Sequence, residues 1–311
     1  MTHLEKHVVT GAFGYSGKYI ARRLLAAGHR VATLTNSPNR PHEFGGRVEV
    51  MPLSFDDGEL AASLSGTRVL YNTYWVRFDH EQFTHDTAVT NTLALFAAAK
   101  RAGVHRIVHV SITNPTKDSA LPYFAGKALL EEALLASCIP CSILRPAVLF
   151  GGTDILINNI AWALRTFPVF GLFDDGSYRL RPIHVEDLAD LAVSHGAMNG
   201  THQIDAVGPE SYSYADLVSL IGRAIGHPRP TVSLPPSLGH LLGRVIGCWK
   251  KDVFITREEI AGLMAGLLDT RGPATGTTSL SKWLENNGDH LGRSYASELQ
   301  RRRERTVAYG V

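Results

Sequence analysis

The sequence of 311 residues predicts an α/β protein in which a doubly wound parallel sheet is joined to a smaller C-terminal cap. Over the first 150 residues, short apolar runs alternate with amphipathic segments, a pattern typical of a parallel sheet with helices on both faces. After Gly151, prolines and glycines interrupt this alternation. We therefore predict a sheet domain over residues 1–150 and a cap over residues 151–311 whose segments interleave with the sheet.

The individual elements follow from apolar spacing and from the residues that end helices. Residues 83–102 carry apolar side chains at helical spacing and are followed by Gly103, a residue type that ends many helices. A loop and hairpin are expected at 168–181, after which residues 182–207 return to the sheet. The predicted strands are 7–10, 30–35, 47–53, 68–73, 106–112 and 141–150, and the predicted helices are 16–27, 57–64, 83–102, 123–136, 156–166, 213–225 and 237–249.

Composition excludes several classes of protein. The 31 basic and 29 acidic residues give a formal charge of +2, which is not the basic footprint of a nucleic-acid-binding protein. Three cysteines cannot build a disulfide framework, and the C-x-x-C pair Cys138 and Cys141 follows a predicted helix, so we interpret it as core packing and expect no metal site. The sequence shows no signal-peptide pattern and no membrane-spanning apolar stretch, and we expect a cytoplasmic protein.

The first strand leads into a G-x-x-G-x-x-G pattern at the point where a helix begins. Gly11 permits a tight turn, Gly14 allows the backbone to approach a pyrophosphate, and Gly17 allows the helix to pack closely on the strand. The amide groups and the dipole of a helix N-terminus favour phosphate charge. The pattern predicts dinucleotide binding, with Phe13 and Tyr15 in the same turn, and a purely structural turn is the alternative.

The end of the second strand concerns the choice of cofactor. NAD-binding sites commonly place Asp or Glu there, on the ribose 2′-hydroxyl, and this segment has neither. Asn36, Ser37 and Arg40 can hydrogen-bond a 2′-phosphate instead. We therefore favour NADP(H) over NAD, with the alternative that Arg40 points into solvent.

Tyr123 and Lys127 form the one Y-x-x-x-K sequence of the chain, and their spacing places both side chains on one face of a helix. A free phenol has a pKa of about 10, and a neighbouring ammonium lowers that pKa by stabilising the phenolate. The preceding strand carries Ser111, whose hydroxyl can donate to the same substrate oxygen, and Thr113 is an alternative donor. The pattern predicts a general acid/base, against the alternative of an exposed tyrosine packed on a lysine stem.

Several stretches together resemble the extended and atypical branches of the short-chain dehydrogenase/reductase superfamily, over nearly the whole chain. They include TGAFGYSG, RIVHVS, YFAGK, ILRPAVLFG and RPIHVEDLADLAV. The resemblance is strongest to NAD(P)-binding proteins related to the nucleotide-binding accessory subunit of respiratory complex I, and NmrA-like proteins come next. It implies a Rossmann-type fold.

The resemblance also implies roles for the matching residues. Tyr123 would be the general acid/base, Lys127 would bind the nicotinamide ribose, and Ser111 would polarise the substrate oxygen. The implied cofactor contacts are Gly11, Gly14 and Gly17 at the pyrophosphate, Pro146 at the nicotinamide, and Asn72, Thr73 and Tyr74 along the cofactor channel.

Two positions depart from the family pattern. The usual adenine-binding Asp after the third strand is Leu53 or Ser54 here, with Asp56 as a substitute only after a register shift. Tyr74 and Trp75 replace the small residues that are common after the fourth strand, which implies either a compact aromatic pocket or the loss of catalysis.

These observations predict an NAD(P)-dependent oxidoreductase that transfers hydride to or from a small carbonyl or hydroxyl compound. A non-catalytic NAD(P)-binding sensor, assembly or accessory protein is the alternative, and an epimerase or dehydratase would use the same residues.

Residues 237–249 place six apolar side chains on one helical face, with Gly239, Gly243 and Gly247 beside them and Lys250 and Lys251 after them. We favour packing of this helix over the substrate pocket. Contact with a membrane surface or a protein partner through residues 237–251 is the alternative.

Overall fold

The computed structural model describes residues 5–81 and 83–310, and the predicted α/β class is confirmed. The strands are β1 Lys6–Thr10, β2 Arg30–Thr35, β3 Val48–Pro52, β4 Thr67–Asn72, β5 Arg106–Val110, β6 Cys141–Pro146, β7 Leu149–Phe150, β8 Phe170–Phe173, β9 Arg179–Leu180, β10 Ile183–His184, β11 His202–Ala206, β12 Tyr212–Ser213 and β13 Thr231–Leu234. The helices are α1 Tyr15–Ala26, α2 Asp57–Leu64, α3 His85–Arg101, α4 Pro122–Ala136, α5 Leu156–Thr166, α6 Val185–Gly196, α7 Tyr214–Ala224, α8 Pro236–Lys250, α9 Arg257–Met264, α10 Leu280–Asn287 and α11 Glu298–Arg303.

The central sheet has seven strands in the order β11-β6-β5-β4-β1-β2-β3, and the pairings from β3 through β6 are parallel. Its strands are short apolar runs because helices cover both faces of a parallel sheet. The chain crosses from β3, at one edge, back to β4, which lies beside β1. In sheets of this type, ligands bind at the carboxyl ends of the strands where the strand order reverses.

The chain divides into two compact units. The first contains the residues up to Pro146 together with Leu188–Asp205 and Thr306–Tyr309, and the second contains Ala147–Asp187 and Ala206–Arg305. In the first unit, Val8, Leu34, Leu70 and Ile107 bring four strands into one apolar core, against leucines of α2, α3 and α4. Of residues 182–207, which the sequence analysis returned to the sheet, only β11 joins it, beside β6; β10 pairs with β7 instead, and α6 lies between β10 and β11.

The second unit departs from two sequence predictions. The expected hairpin at 168–181 is wrong, because β8 pairs in parallel with β13 and β9 pairs antiparallel with β12, so neither strand pairs with the other. The expected strand 141–150 ends at Pro146, and its last two residues form β7, which pairs with β10. Pro146 has no N–H to donate, which favours the end of β6 at that residue.

Helix α8 is turned the opposite way from our expectation. Its buried residues are Gly239, Gly243 and Gly247, whereas the large apolar side chains on the other side are exposed. The prediction that the apolar stripe packs over a substrate pocket is therefore wrong. The helix has 15 residues, and no helix in the described part of the chain is long and apolar enough to cross a membrane.

Candidate active site

The glycine turn joins β1 to α1 and requires glycine at two of its three positions. Gly11 has a φ of +68°, which glycine adopts readily. A Cβ atom at Gly17 would lie 2.3 Å from the carbonyl oxygen of Gly11, so the first turn of α1 can pack on the loop only without a side chain there. At Gly14 the same atom would lie 3.1 Å from that oxygen, which already accepts the Gly14 N–H at 2.8 Å.

Hydrogen bonds to β2 hold this turn in place. The Gly11 N–H donates to the Leu34 carbonyl at 3.1 Å, and the Ala12 N–H donates to the Thr33 hydroxyl at 3.0 Å. The first turn of α1 contains no acidic residue, so no carboxylate there opposes an anion at the helix N-terminus. The turn therefore fits a pyrophosphate. Phe13, in contrast, is buried and stacks on His42 with ring centres 4.0 Å apart, which makes it a packing residue in this conformation.

The segment after β2 brings Arg40 into the protein rather than into solvent. Arg40 is only 6% exposed, and its guanidinium lies 5.4 Å from the centre of the Tyr309 ring. Asn36 is exposed at the end of β2, and the backbone N–H of Arg40 donates to the Ser37 carbonyl at 3.2 Å. After β3, the Asp56 carboxylate accepts the N–H groups of Gly58 and Glu59 and so caps α2.

The carboxyl ends of β1 and β4 are bonded together beside the turn. Thr73 donates its N–H to the Thr10 hydroxyl at 2.8 Å and its own hydroxyl to the Thr10 carbonyl at 2.6 Å. The buried Asn72 amide oxygen accepts the Thr10 hydroxyl and the Tyr74 N–H. The Tyr74 hydroxyl in turn accepts from the amide of Asn91 at 2.9 Å. These bonds hold Asn72, Thr73 and Tyr74 in place at the edge where the resemblance predicts a cofactor channel.

A neutral histidine lies beneath this edge, on β5. The Asn72 amide nitrogen and His109 Nδ1 are 3.0 Å apart, and because the Asn72 oxygen already accepts two hydrogen bonds, the nitrogen is the donor in this pair. Burial, and secondarily the charge of Lys127, hold the pKa of His109 well below its usual value. The imidazole therefore carries no charge that would compete with Lys127.

Tyr123 and Lys127 lie one helical turn apart on α4, as the spacing predicts. Lys127 is 2% exposed, its Nζ donates to the carbonyl of Val110 at the end of β5 over 2.7 Å, and it lies 4.3 Å from the centre of the Trp75 ring. Burial lowers the pKa of Lys127 to about 7, and the charge of Glu131 only partly opposes this change. Tyr123 is half-buried, with its ring edge-on to that of Trp75 at 5.5 Å.

Sequence reasoning missed a histidine beside this tyrosine. The ring centres of His85 and Tyr123 are 5.6 Å apart. Asp79 Oδ1 lies 2.8 Å from His85 Nδ1 and also accepts the His85 backbone N–H at 2.7 Å. The other ring nitrogen, His85 Nε2, is buried and has no hydrogen-bond partner in the described residues. Asp79 and His85 are six residues apart in the sequence, and this spacing carried no recognisable signal.

Ser111 is held away from the role that the sequence gave it. Its buried hydroxyl donates to Glu131 at 2.5 Å, and Glu131 also accepts two hydrogen bonds from Arg145 Nε. The hydroxyl is thus part of an ion-pair network between α4 and β6. The N–H of Thr113, the alternative donor residue, is bonded to the Pro146 carbonyl at 3.0 Å, which joins the ends of β5 and β6.

This sheet topology, with a glycine turn after β1 and a tyrosine–lysine helix after β5, defines a protein of the extended short-chain dehydrogenase/reductase class. More particularly, the chain belongs to the NmrA-like family, whose family model matches residues 5–164. The resemblance inferred from the sequence is therefore confirmed.

Individual relatives are distant and differ in their named roles. The chain is 24% identical over 242 residues to a mitochondrial NADH dehydrogenase [ubiquinone] 1 alpha subcomplex subunit 9 of Arabidopsis thaliana, covering 73% of this chain and 60% of the relative. It spans less than two thirds of the length of this and two similar complex I subunits. It is 25% identical to the photosystem II assembly factor Ycf39 of Guillardia theta, over 96% of this chain and 99% of that protein.

Among solved structures, the fold is similar to that of the triphenylmethane reductase of a Citrobacter species, in a complex with NADP(H). The TM-score is 0.76 with 17% sequence identity, over 90% of this chain and 99% of the reductase. At this identity the likeness extends to the fold alone.

Proposed function

We propose that this protein binds NADP(H) and transfers hydride to or from a small carbonyl or hydroxyl compound, with Tyr123 as the general acid/base. The observation that carries the proposal is the buried ammonium of Lys127, one helical turn from Tyr123. A fully buried lysine is unfavourable for stability, and strongly shifted pKa values concentrate at functional sites. A structural pair on the surface, the alternative considered for the sequence, would not bury the ammonium.

The residues divide the chemistry in a definite way. The Tyr123 hydroxyl gives a proton to the substrate oxygen, or takes one from it, and Lys127 stabilises the phenolate that remains. Because the pKa of Lys127 is about 7 in the free protein, a nearby anion would shift the lysine toward its protonated form. Trp75 and His85 flank the Tyr123 ring and restrict the substrate to a compact group. A bound nicotinamide cofactor would supply the hydride for reduction, or accept it for oxidation.

Two features support NADP(H) over NAD. The segment that follows β2 contains no carboxylate from Asn36 to Arg40, and the guanidinium of Arg40 is held on the Tyr309 ring rather than extended into solvent. Proteins of similar fold have been solved with NADP(H) and with NAD, so the fold itself favours neither cofactor.

A second function is a non-catalytic NAD(P)-binding accessory or assembly protein. The engagement of Ser111 with Glu131 favours it, because that bond removes a hydroxyl donor from the substrate oxygen. The names of the complex I subunits and of the photosystem II assembly factor fit the same role. An epimerase or dehydratase would use the residues of the first proposal, and a UDP-glucose 4-epimerase of Mycolicibacterium smegmatis is 29% identical over 75% of this chain.

Cofactor binding is tested by calorimetric titration of NADPH into the wild type and Gly14→Asp. The variant should lose binding, because the new carboxylate would lie at the phosphate site and its Cβ 3.1 Å from the Gly11 oxygen. Ala27→Asp is the matched control: it places the same charge at the exposed C-cap of α1, where the backbone φ of −78° accepts any side chain. Wild-type protein that binds neither NADPH nor NADH would refute the proposal.

Catalysis is tested on a panel of aldehydes, ketones and quinones by following NADPH absorbance, with native mass spectrometry of freshly purified protein to identify retained ligands. Tyr123→Phe should lower kcat by roughly 10²- to 10⁴-fold while leaving NADPH affinity nearly unchanged. Tight NADPH binding with no turnover of any substrate would favour the non-catalytic function instead.

A further inference from the structure

Helix α8 presents an apolar face that the described chain leaves largely exposed. Its side chains are between 42% and 61% exposed and recur at helical spacing. They are Leu238, Leu241, Leu242, Val245 and Trp249. In the described residues, twelve large apolar side chains are at least 38% exposed, and five of these twelve lie on α8. Such a concentration marks an interaction surface rather than scattered surface residues.

The opposite side of α8 fixes this orientation. A Cβ at Gly239 would lie 2.4 Å from the Phe173 ring, and a Cβ at Gly243 would lie 2.8 Å from Ile255. The glycines therefore let α8 pack closely on the rest of the second unit. If the helix were rotated so that its apolar face pointed inward, larger side chains would have to fit into that space. The apolar face is exposed because the glycine face is the one that packs.

The charge along α8 and the chain that leads into it has one sign. Residues 217–251 contain no Asp or Glu, and they contain five basic residues. Arg244 and Lys251 are exposed on or directly after α8, while the Lys250 ammonium is held over the Trp249 ring at 4.1 Å. An apolar face flanked by cations, with a tryptophan at one end, suits the interface of a membrane with anionic lipids.

We propose that α8 lies in the plane of an anionic bilayer surface and docks this protein there through its apolar face. A second copy of the chain fits the same surface less well. In a twofold-symmetric dimer the same patch meets itself, which would place the Arg244 and Lys251 cations of both copies together with no acidic residue of this segment to neutralise them. Anionic headgroups provide the missing countercharge.

The test is co-sedimentation with vesicles of phosphatidylcholine alone and of phosphatidylcholine with phosphatidylglycerol. Wild-type protein should bind only the anionic vesicles, and added salt should weaken the binding because exposed charges are screened. The double variant Leu241→Asp, Val245→Asp should bind at least about tenfold more weakly, because it removes two inserted side chains and adds negative charge. Arg244→Gln with Lys251→Gln should weaken binding several-fold.

Leu135→Asp with Met198→Asp is the matched control, since those side chains are 38% and 41% exposed elsewhere on the surface. It should bind vesicles as the wild type does, and circular dichroism with urea titration should show that all variants retain their fold. Absence of wild-type binding to anionic vesicles overturns the proposal. So does equal binding by the α8 variant, or a dimer in sedimentation velocity that depends on Leu241 and Val245 without vesicle binding.

Discussion

The ammonium of Lys127 lies 4.3 Å from the centre of the Trp75 indole, while its Nζ donates to the Val110 carbonyl at 2.7 Å. The aromatic face and one carbonyl dipole replace the water that the ammonium loses on burial, but they do so incompletely. Burial therefore lowers the pKa of Lys127 to about 7. Trp75, which the sequence marked only as a bulky departure from the family pattern, is thus a direct partner of the proposed catalytic lysine.

This pKa predicts a pH-dependent stability of the cofactor-free protein. Below about pH 7, Lys127 is protonated in both the native and the unfolded protein. Between about pH 7 and 10.5, the usual pKa of a lysine, Lys127 is protonated in the unfolded protein but deprotonated in the native protein. The free energy of unfolding should therefore rise through that range by on the order of 1–3 kcal/mol. Lys127→Met should remove this rise in denaturant titrations at several pH values. Lys117→Met, at an exposed ion pair with Glu132, is the control, and an unchanged slope in Lys127→Met would contradict the assignment.

Cofactor preference gives a second prediction. Arg40→Gln should weaken NADPH binding by about tenfold or more and leave NADH binding nearly unchanged, because only NADPH has a 2′-phosphate for the guanidinium. Titration of both nucleotides into the same variant separates loss of this contact from a general disturbance of the Tyr309 packing. Arg22→Gln, which removes a surface ion pair with Glu43, is the control. Tighter binding of NADH than NADPH by the wild type would show the preference to be wrong.

The sheet could be predicted well from the sequence because buried parallel strands are short apolar runs that need no knowledge of distant residues. The predicted and observed ends of β2 agree at both residues, and α5 also agrees. The errors fall where pairing decides the structure. Residues 170–173 form a strand because residues 231–234 pair with them, and nothing in the local pattern at 168–181 indicates so distant a partner.

The site could be predicted in part for a similar reason. The glycine turn, Tyr123 and Lys127 are local patterns on one element each. The direction of the Ser111 hydroxyl depends on Glu131, 20 residues away, and on Arg145 beyond it. The approach of His85 to Tyr123 depends on the packing of the start of α3 against α4. Contacts of this kind are set by tertiary structure, which single-residue spacing does not encode.

Helix α8 shows how a correct pattern can be assigned to the wrong face, and it supplies a third prediction. Gly239→Ala should destabilise the protein by about 1–3 kcal/mol, because the new methyl would lie 2.4 Å from the buried Phe173 ring. Helix propensity alone predicts the opposite sign, since alanine is favoured over glycine by roughly 1 kcal/mol. Urea titration decides between them, with the exposed Leu242→Ala as a nearly neutral control. A stabilised Gly239→Ala would mean that the glycine face is not packed as described.

The fourth prediction concerns acid stability of the second unit, in which Glu210 joins β12 to the start of α10. Burial opposes ionisation of Glu210, but hydrogen bonds from Ser279, Ser281 and Tyr212 outweigh it and lower the pKa to about 2. The stability that ionised Glu210 contributes is therefore fully present above pH 4.5, the usual pKa of a glutamate, and is lost as the pH falls toward 2. Glu210→Gln should lower the unfolding free energy at neutral pH by about 1 kcal/mol, a value reduced by solvent screening, and the two proteins should converge in acid. Denaturant titrations across this pH range measure the effect, and Glu285→Gln, which changes an exposed carboxylate on α10, is the control. If the unfolding free energies of the wild type and Glu210→Gln differed by the same amount at every pH, the carboxylate charge would not be what stabilises this junction.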